Sequence, residues 1–126
     1  MEEGAMDIKE MFIEIKKSPY YKRMGMIASH LGVVRETSLD GAKVSAVEVS
    51  FDKEKIREVK RKILDIEGIL EVLIQTYEGR LCVGDEIMAV VIGGDTRENV
   101  FPALISAVDL LKKEASKKRE IISSGG

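Results

Sequence analysis

Apolar residues first recur at helical spacing. Ile8, Met11, Phe12 and Ile15 fall at i, i+3, i+4 and i+7 and make one stripe. Asp7 stands where an N-cap is needed, and Ser18-Pro19 stops the helix, because a residue before proline is pushed out of the α region. An apolar run from about Met24 to Val34 predicts a strand. Glu36 to Ala42 is polar and holds Asp40-Gly41, a turn signal. Beyond it Val47, Val49 and Phe51 alternate with Glu48 and Ser50, the period of a half-buried strand. The short loop between these two strands makes an antiparallel pair the economical reading.

Asp52 then caps a second helix with Ile56, Val59, Ile63 and Ile66 on its apolar face, and Gly68 ends it. Its lysines and glutamates alternate in sign, as on a solvated face. Ile69 to Tyr77 reads as a third strand, and Arg80 to Val83 and Ile87 to Ile92 as strands around a Gly84-Asp85 turn. A last helix begins near Asp95 or Thr96, with Asp95 and Glu98 at capping-box spacing. Phe101, Leu104, Ile105, Val108 and Leu111 form its stripe. Pro102 either kinks this helix or belongs to the first turn of one that starts later, capped by Asn99. Helices and strands do not alternate strictly, so the fold class is α+β: one domain, an antiparallel sheet and three main helices. Residues 1–120 are expected to form the domain. Residues 121–126, ending in Gly125-Gly126, are expected to be a flexible tail.

Composition narrows the function. Trp is absent and aromatics are 5% of the 126 residues, so the core must be aliphatic. A formal net charge of −2 argues against general nucleic-acid binding, which rests on a basic surface. Cys82 is the only cysteine, which excludes an intrachain disulfide and a cysteine cluster for zinc; its strand-like setting suits a small buried hydrophobe. No apolar run approaches the ~18–20 residues of a membrane span, and the acidic N-terminus lacks a signal-peptide core, so a cytoplasmic location is expected. Neither metal nor cofactor is implied. His30, the single histidine, has no partner at ligand spacing and reads as a hydrogen-bonded strand residue.

The chemistry that remains is cationic. Arg97 lies in the first turn of a helix behind Gly93-Gly94, where free N–H groups favour an anion and a guanidinium adds a bidentate fork. Its plainer alternative is a surface ion pair with Glu98 or Asp95. Arg35 ends an apolar strand behind Gly32. The last helix is expected to carry Lys112, Lys113, Lys117, Lys118 and Arg119 at its end, where cations also oppose the macrodipole. For one of these lysines to move protons it must be partly desolvated beside a substrate.

Gly32-Val33-Val34-Arg35, Gly79 to Glu86, Thr96 to Phe101 with Ala103, Asp109 to Lys112 and Lys118-Arg119-Glu120 occur in the order and spacing of one family. From about Met24 to Glu120 the chain resembles the large, catalytic subunit of molybdopterin synthase. The resemblance implies an α/β hammerhead-like fold. It also implies an enzyme that converts cyclic pyranopterin monophosphate to the dithiolene-bearing molybdopterin. Sulfur would arrive as a thiocarboxylate on the C-terminal Gly-Gly of a small ubiquitin-like carrier subunit, and the large subunit would be a homodimer with a small subunit at each end. By resemblance Lys112 faces the carrier tail, Lys118 sits beside the reacting carbons, Arg35 and Arg97 hold the phosphate, and Thr96 and Arg119 complete the substrate contacts. Thr96-Arg97 stands where the family has His-Arg, and the segment before Glu120 lacks the family's proline and tryptophan. Placing Lys118 at the second lysine position needs a one-residue gap after Lys112; ungapped, Arg119 takes the place, and Lys117 is the third alternative. The competing reading is a non-catalytic protein of the same fold that binds the carrier or another anion. A nucleic-acid domain using the Lys112 to Arg119 patch is weaker still, since no aromatic platform accompanies it.

Overall fold

The computed structural model describes residues 6–123. Helix α1 (Ile8–Ile15) opens with a full capping box: the Glu10 N–H donates to Asp7 Oδ1 at 2.8 Å, and the Asp7 N–H donates back to Glu10 Oε1. Strand β1 (Met26–Val33), β2 (Val44–Phe51), helix α2 (Lys53–Leu64), β3 (Ile69–Thr76), β4 (Gly79–Cys82), β5 (Glu86–Gly94), helix α3 (Arg97–Leu110) and β6 (Ser116–Ile122) follow. Asp52 caps α2 through bonds from the Glu54 and Lys55 N–H groups. The α+β class and the three helices stand as expected, but the strands divide into two antiparallel three-stranded sheets, β1-β5-β3 and β4-β2-β6.

The expected β1–β2 pair does not form. β1 pairs with β5 along its length, from Met26 opposite Gly94 to Val33 opposite Glu86. The reason lies in β5, which is buried from Met88 to Gly94 and so needs a partner on each edge and cover on each face. The loop after β1 is held to the β4–β5 turn by the Val34 N–H on the Asp85 carbonyl and the Gly84 N–H on the Val34 carbonyl, both 2.9 Å. That clasp hands β2 to the second sheet. The strands flanking Gly84-Asp85 likewise lie in different sheets. Gly84 has φ +90°, which only glycine adopts without strain.

Further expectations are corrected. Helix α3 buries Val100, Ala103 and Ala107, and Leu111 just beyond it is buried as expected, while Phe101 and Ile105 stay half or more exposed. Small alanines, not the bulkiest residues, mark the buried face because α3 packs close to β5: a Cβ on Gly94 would lie 2.6 Å from Val100 Cγ2. Pro102 lies inside the helix rather than in its first turn. The cations beyond Lys113 are not on a helix end. The last turn, Leu111–Ala115, is wound as a π turn, and the chain then extends as β6 along the free edge of β2. β6 pairs through Ile122, two residues past the expected domain end; the terminal Gly125-Gly126 lies outside the described residues. Cys82 is exposed, because β4 is an edge strand with little covering it.

Gly94→Ala tests the α3–β5 approach. The added Cβ would also fall 2.6 Å from the Gly68 carbonyl oxygen, so backbone must move. A loss of about 1–3 kcal/mol in chemical denaturation is expected; wild-type stability would show that the helix does not pack this closely.

Candidate functional site

The site is built where the two sheets meet. Ile87 has no partner in the β1–β5 register: Gly32 faces Met88 and Val33 faces Glu86, so one extra β5 residue bulges out. The bulge lets consecutive residues, Ile87 and Met88, line the same space. Across from them, strand period puts Ser116, Lys118 and Glu120 on one side of β6 and Lys117 and Arg119 on the other. Lys112 projects from the π turn, and the loop 36–43 closes the rim.

Two adjoining cavities result, of about 650 Å³ and about 520 Å³, sharing Val33, Leu39, Ile87, Lys112 and Lys118. The larger is mixed and carries most of the charge, with Arg35, Lys112, Lys118, Asp40 and Glu120 in its lining. The smaller is mostly apolar, walled by Val49, Phe51, Ile87 and Met88, with His30 and Ser116. The two lysines thus stand between a cationic compartment and an apolar one.

Charge pairing separates the candidate residues. Arg35 is steered by its Nε–H, which donates to the Thr37 carbonyl at 3.0 Å, and its other guanidinium nitrogens make no hydrogen bond among the described residues. Lys112 and Lys118 are in no ion pair among the described residues. Arg119 instead lies on the outer face of β6 and donates to Glu48 Oε2 at 2.7 Å, with Arg80 on the same carboxylate at 4.0 Å. Those contacts, Arg119 first, hold the Glu48 carboxyl below its usual range. Of the three residues competing for the second lysine position, Lys118 is the one whose pleat side faces Lys112.

Thr96 and Arg97 are not brought to these cavities. Thr96 is the N-cap of α3, without a side-chain capping bond, and Arg97 is exposed beside Glu98. The α3 N-terminus is served by Asp95, whose Oδ1 accepts from the Thr96 N–H at 2.6 Å and from Asn99 Nδ2 at 2.9 Å. At 1.5 Å per residue, Arg97 is roughly 20 Å of helix away from Lys112.

Sequence reasoning missed the Ile87 bulge, the rim loop and His30. The loop is organised by Asp40, which takes the Ser38 hydroxyl and the Ala42 N–H; the Ser38 bond foremost keeps its carboxyl low in pKa. His30, expected to be hydrogen-bonded, has a buried Nε2 with no partner among the described residues.

With this geometry in view, the comparisons with known proteins are specific. Residues 1–114 match the family model described as MoaE protein. The chain is 31% identical over 105 residues to the molybdopterin synthase catalytic subunit of Pyrococcus abyssi, covering 80% of this chain and 71% of that one. The chain belongs to the MoaE family. Solved structures share the MoaE fold. Molybdopterin synthase from Staphylococcus aureus superposes with a TM-score of 0.77 at 20% identity, over 97% of this chain and 89% of that one. The MoaE protein of Burkholderia ambifaria gives 0.73 at 21% identity, over 95% and 86%. A complex of subunits 1 and 2 of the molybdopterin-converting factor from Helicobacter pylori gives 0.70 at 17% identity, over 94% and 80%.

Arg119→Ala is expected to raise the Glu48 titration midpoint toward the ordinary carboxylate range, as followed by carboxyl NMR. The folded-state midpoint is the depressed one, so any stability this pair adds is present at neutral pH and lost as pH falls through it. An unmoved Glu48 midpoint would contradict the pairing.

Proposed function

We propose that this MoaE-family chain is the catalytic subunit of a molybdopterin synthase, transferring sulfur from a thiocarboxylated small carrier subunit to cyclic pyranopterin monophosphate. The observation that carries the reading is the pair of unpaired lysines, Lys112 and Lys118, set between a compartment holding Arg35 and an apolar one. The phosphate, the thiocarboxylate and the spent carboxylate are all anions. Cations already set around a cleft stabilise them more than bulk solvent does once the bound tail and substrate displace water. Lys112 is read as meeting the carrier tail, and Lys118 as exchanging protons at the substrate carbons. Both are exposed in the free chain, so the desolvation that proton transfer requires comes from the bound tail and substrate.

The working assembly is read as a homodimer with a carrier subunit on each copy, in the cytoplasm. Arg97, Phe101 and Ile105 line one exposed face of α3 at i, i+4, i+8, and Arg97 is out of reach of its own chain's lysines. A second copy docked on this face would cover the apolar pair and deliver Arg97 and Thr96 to the partner's cleft. No helix among the described residues is long and apolar enough to cross a membrane.

Turnover tests the reading. With thiocarboxylated carrier and cyclic pyranopterin monophosphate, dithiolene should form, and Lys112→Ala or Lys118→Ala should cut kcat/KM by roughly 10- to 150-fold, the worth of one charged contact at about 1.5–3 kcal/mol. Carrier binding without turnover in the wild type would instead favour a non-catalytic relative. Sedimentation tests the assembly: Ile105→Glu should convert a dimer to a monomer, and a wild-type monomer would overturn it.

A further inference from the structure

We propose that Ser116 is a positioning residue for Lys112, its hydroxyl holding the π turn that presents this lysine to the cleft. The proposal rests on the synthase reading and adds to it a residue that acts through another. Lys112 stands on Leu111–Ala115, the one π turn among the described residues. Such wide turns are rare and are found frequently at functional sites. This one is also a helix end, whose last carbonyls have no partner inside the helix and must find one outside it.

The two ends of the turn are fixed by burial and by backbone. Leu111 and Ala115 enter the larger core, and the Asp52 N–H donates to the Ala115 carbonyl at 2.8 Å. Between them Lys112, Lys113 and Glu114 are exposed. Glu114 meets Lys62 at 3.6 Å, a surface ion pair that holds little. Lys112 is held by the Ser116 hydroxyl, which donates to the Lys112 carbonyl at 2.9 Å. Ser116 is the first residue of β6 and lies opposite Phe51, which packs against both cores, so the hydroxyl stands on an anchored strand end. Its pleat side is that of Lys118. The bond therefore ties the peptide of one lysine to the strand that carries the other. A displaced reacting group is costly: about 1 Å of misplacement can remove about a hundredfold in rate. A serine bonded to the carbonyl four residues back is also an ordinary local contact, so stability alone does not distinguish the two roles.

Steady-state turnover of the full chain with thiocarboxylated carrier and cyclic pyranopterin monophosphate makes the distinction. Ser116→Ala is expected to lower kcat/KM for the carrier roughly 3- to 10-fold, the range of one uncharged hydrogen bond. KM for the pterin should stay unchanged, because Lys112 is read as meeting the carrier tail. Ser116→Thr, which keeps the hydroxyl and suits a strand, should restore most of the rate. Ser116→Cys, close in size with a weaker donor, should fall between the two. In a Lys112→Ala background Ser116→Ala should cost nothing further, since the side chain it positions is gone. A purely local contact would give the same loss in both backgrounds, or a lowered melting temperature with unchanged turnover. Either result, in an active wild type, would overturn this assignment alone. A wild type without turnover would overturn the synthase reading and this assignment together.

Discussion

Strand β5 has both edges taken, by β1 and β3, and both faces covered, by α3 on one side and α1 on the other. Met88, Val90 and Ile92 enter the larger core with Val59, Ile63, Val100 and Leu111; Ala89 and Val91 enter a smaller one with Met11 and Ile15. A strand so enclosed cannot slip by one residue without exchanging its two faces. Everything that matters for function is indexed to it. The Gly94 end sets how closely α3 approaches, and hence where the π turn and Lys112 emerge. The Glu86 end carries the bulge at Ile87.

The second sheet depends on that frame rather than repeating it. Its small core of Val34, Val44, Val47 and Val49 touches the first sheet through Ile87. The sheets also join through Phe51, which packs against both cores, and the cleft opens between that contact and the start of β5. Lys112 reaches it from the first body and Lys118 from the second. A short strand pleat does the sorting of charges: residues one apart on β6 face the cleft or the Glu48 ion pairs. Cations that answer Glu48 stabilise the sheet surface, and those left without a carboxylate are available to a ligand.

Local signals in the sequence were strong wherever periodicity and caps agreed. Asp7 and Asp52 mark helix starts correctly, and α1 lies where its stripe places it; α2 stops at Leu64, so Ile66 and Gly68 fall in the turn beyond its Asp65 cap rather than at its end. Pairing was not legible, because a short loop predicts a hairpin only if no better partner exists, and β5 was that partner. The α3 face was misread because Ala103 and Ala107 carry little hydrophobic weight in a pattern yet permit the closest packing. Lysine-rich β6 looked helical by propensity; the open edge of β2 overrode it. Of the candidate residues, Arg35, Lys112 and Lys118 converge, while Arg119 is ion-paired elsewhere and Thr96-Arg97 lies a helix length away. His30 carried no sequence signal at all, since an orphaned nitrogen exists only relative to a folded cleft.

The most direct test of the account is methyl NMR of this chain titrated with the small carrier subunit in its carboxylate form. Leu39, 95% exposed on the cleft rim, and Val33 and Ile87, shared by both compartments, are the reporters. The account predicts that these three shift together as the carrier tail enters, while Ile13 on α1 and Leu64 on α2 do not. Shifts confined to α2, or to the Arg80 and Arg119 face of the second sheet, would contradict it.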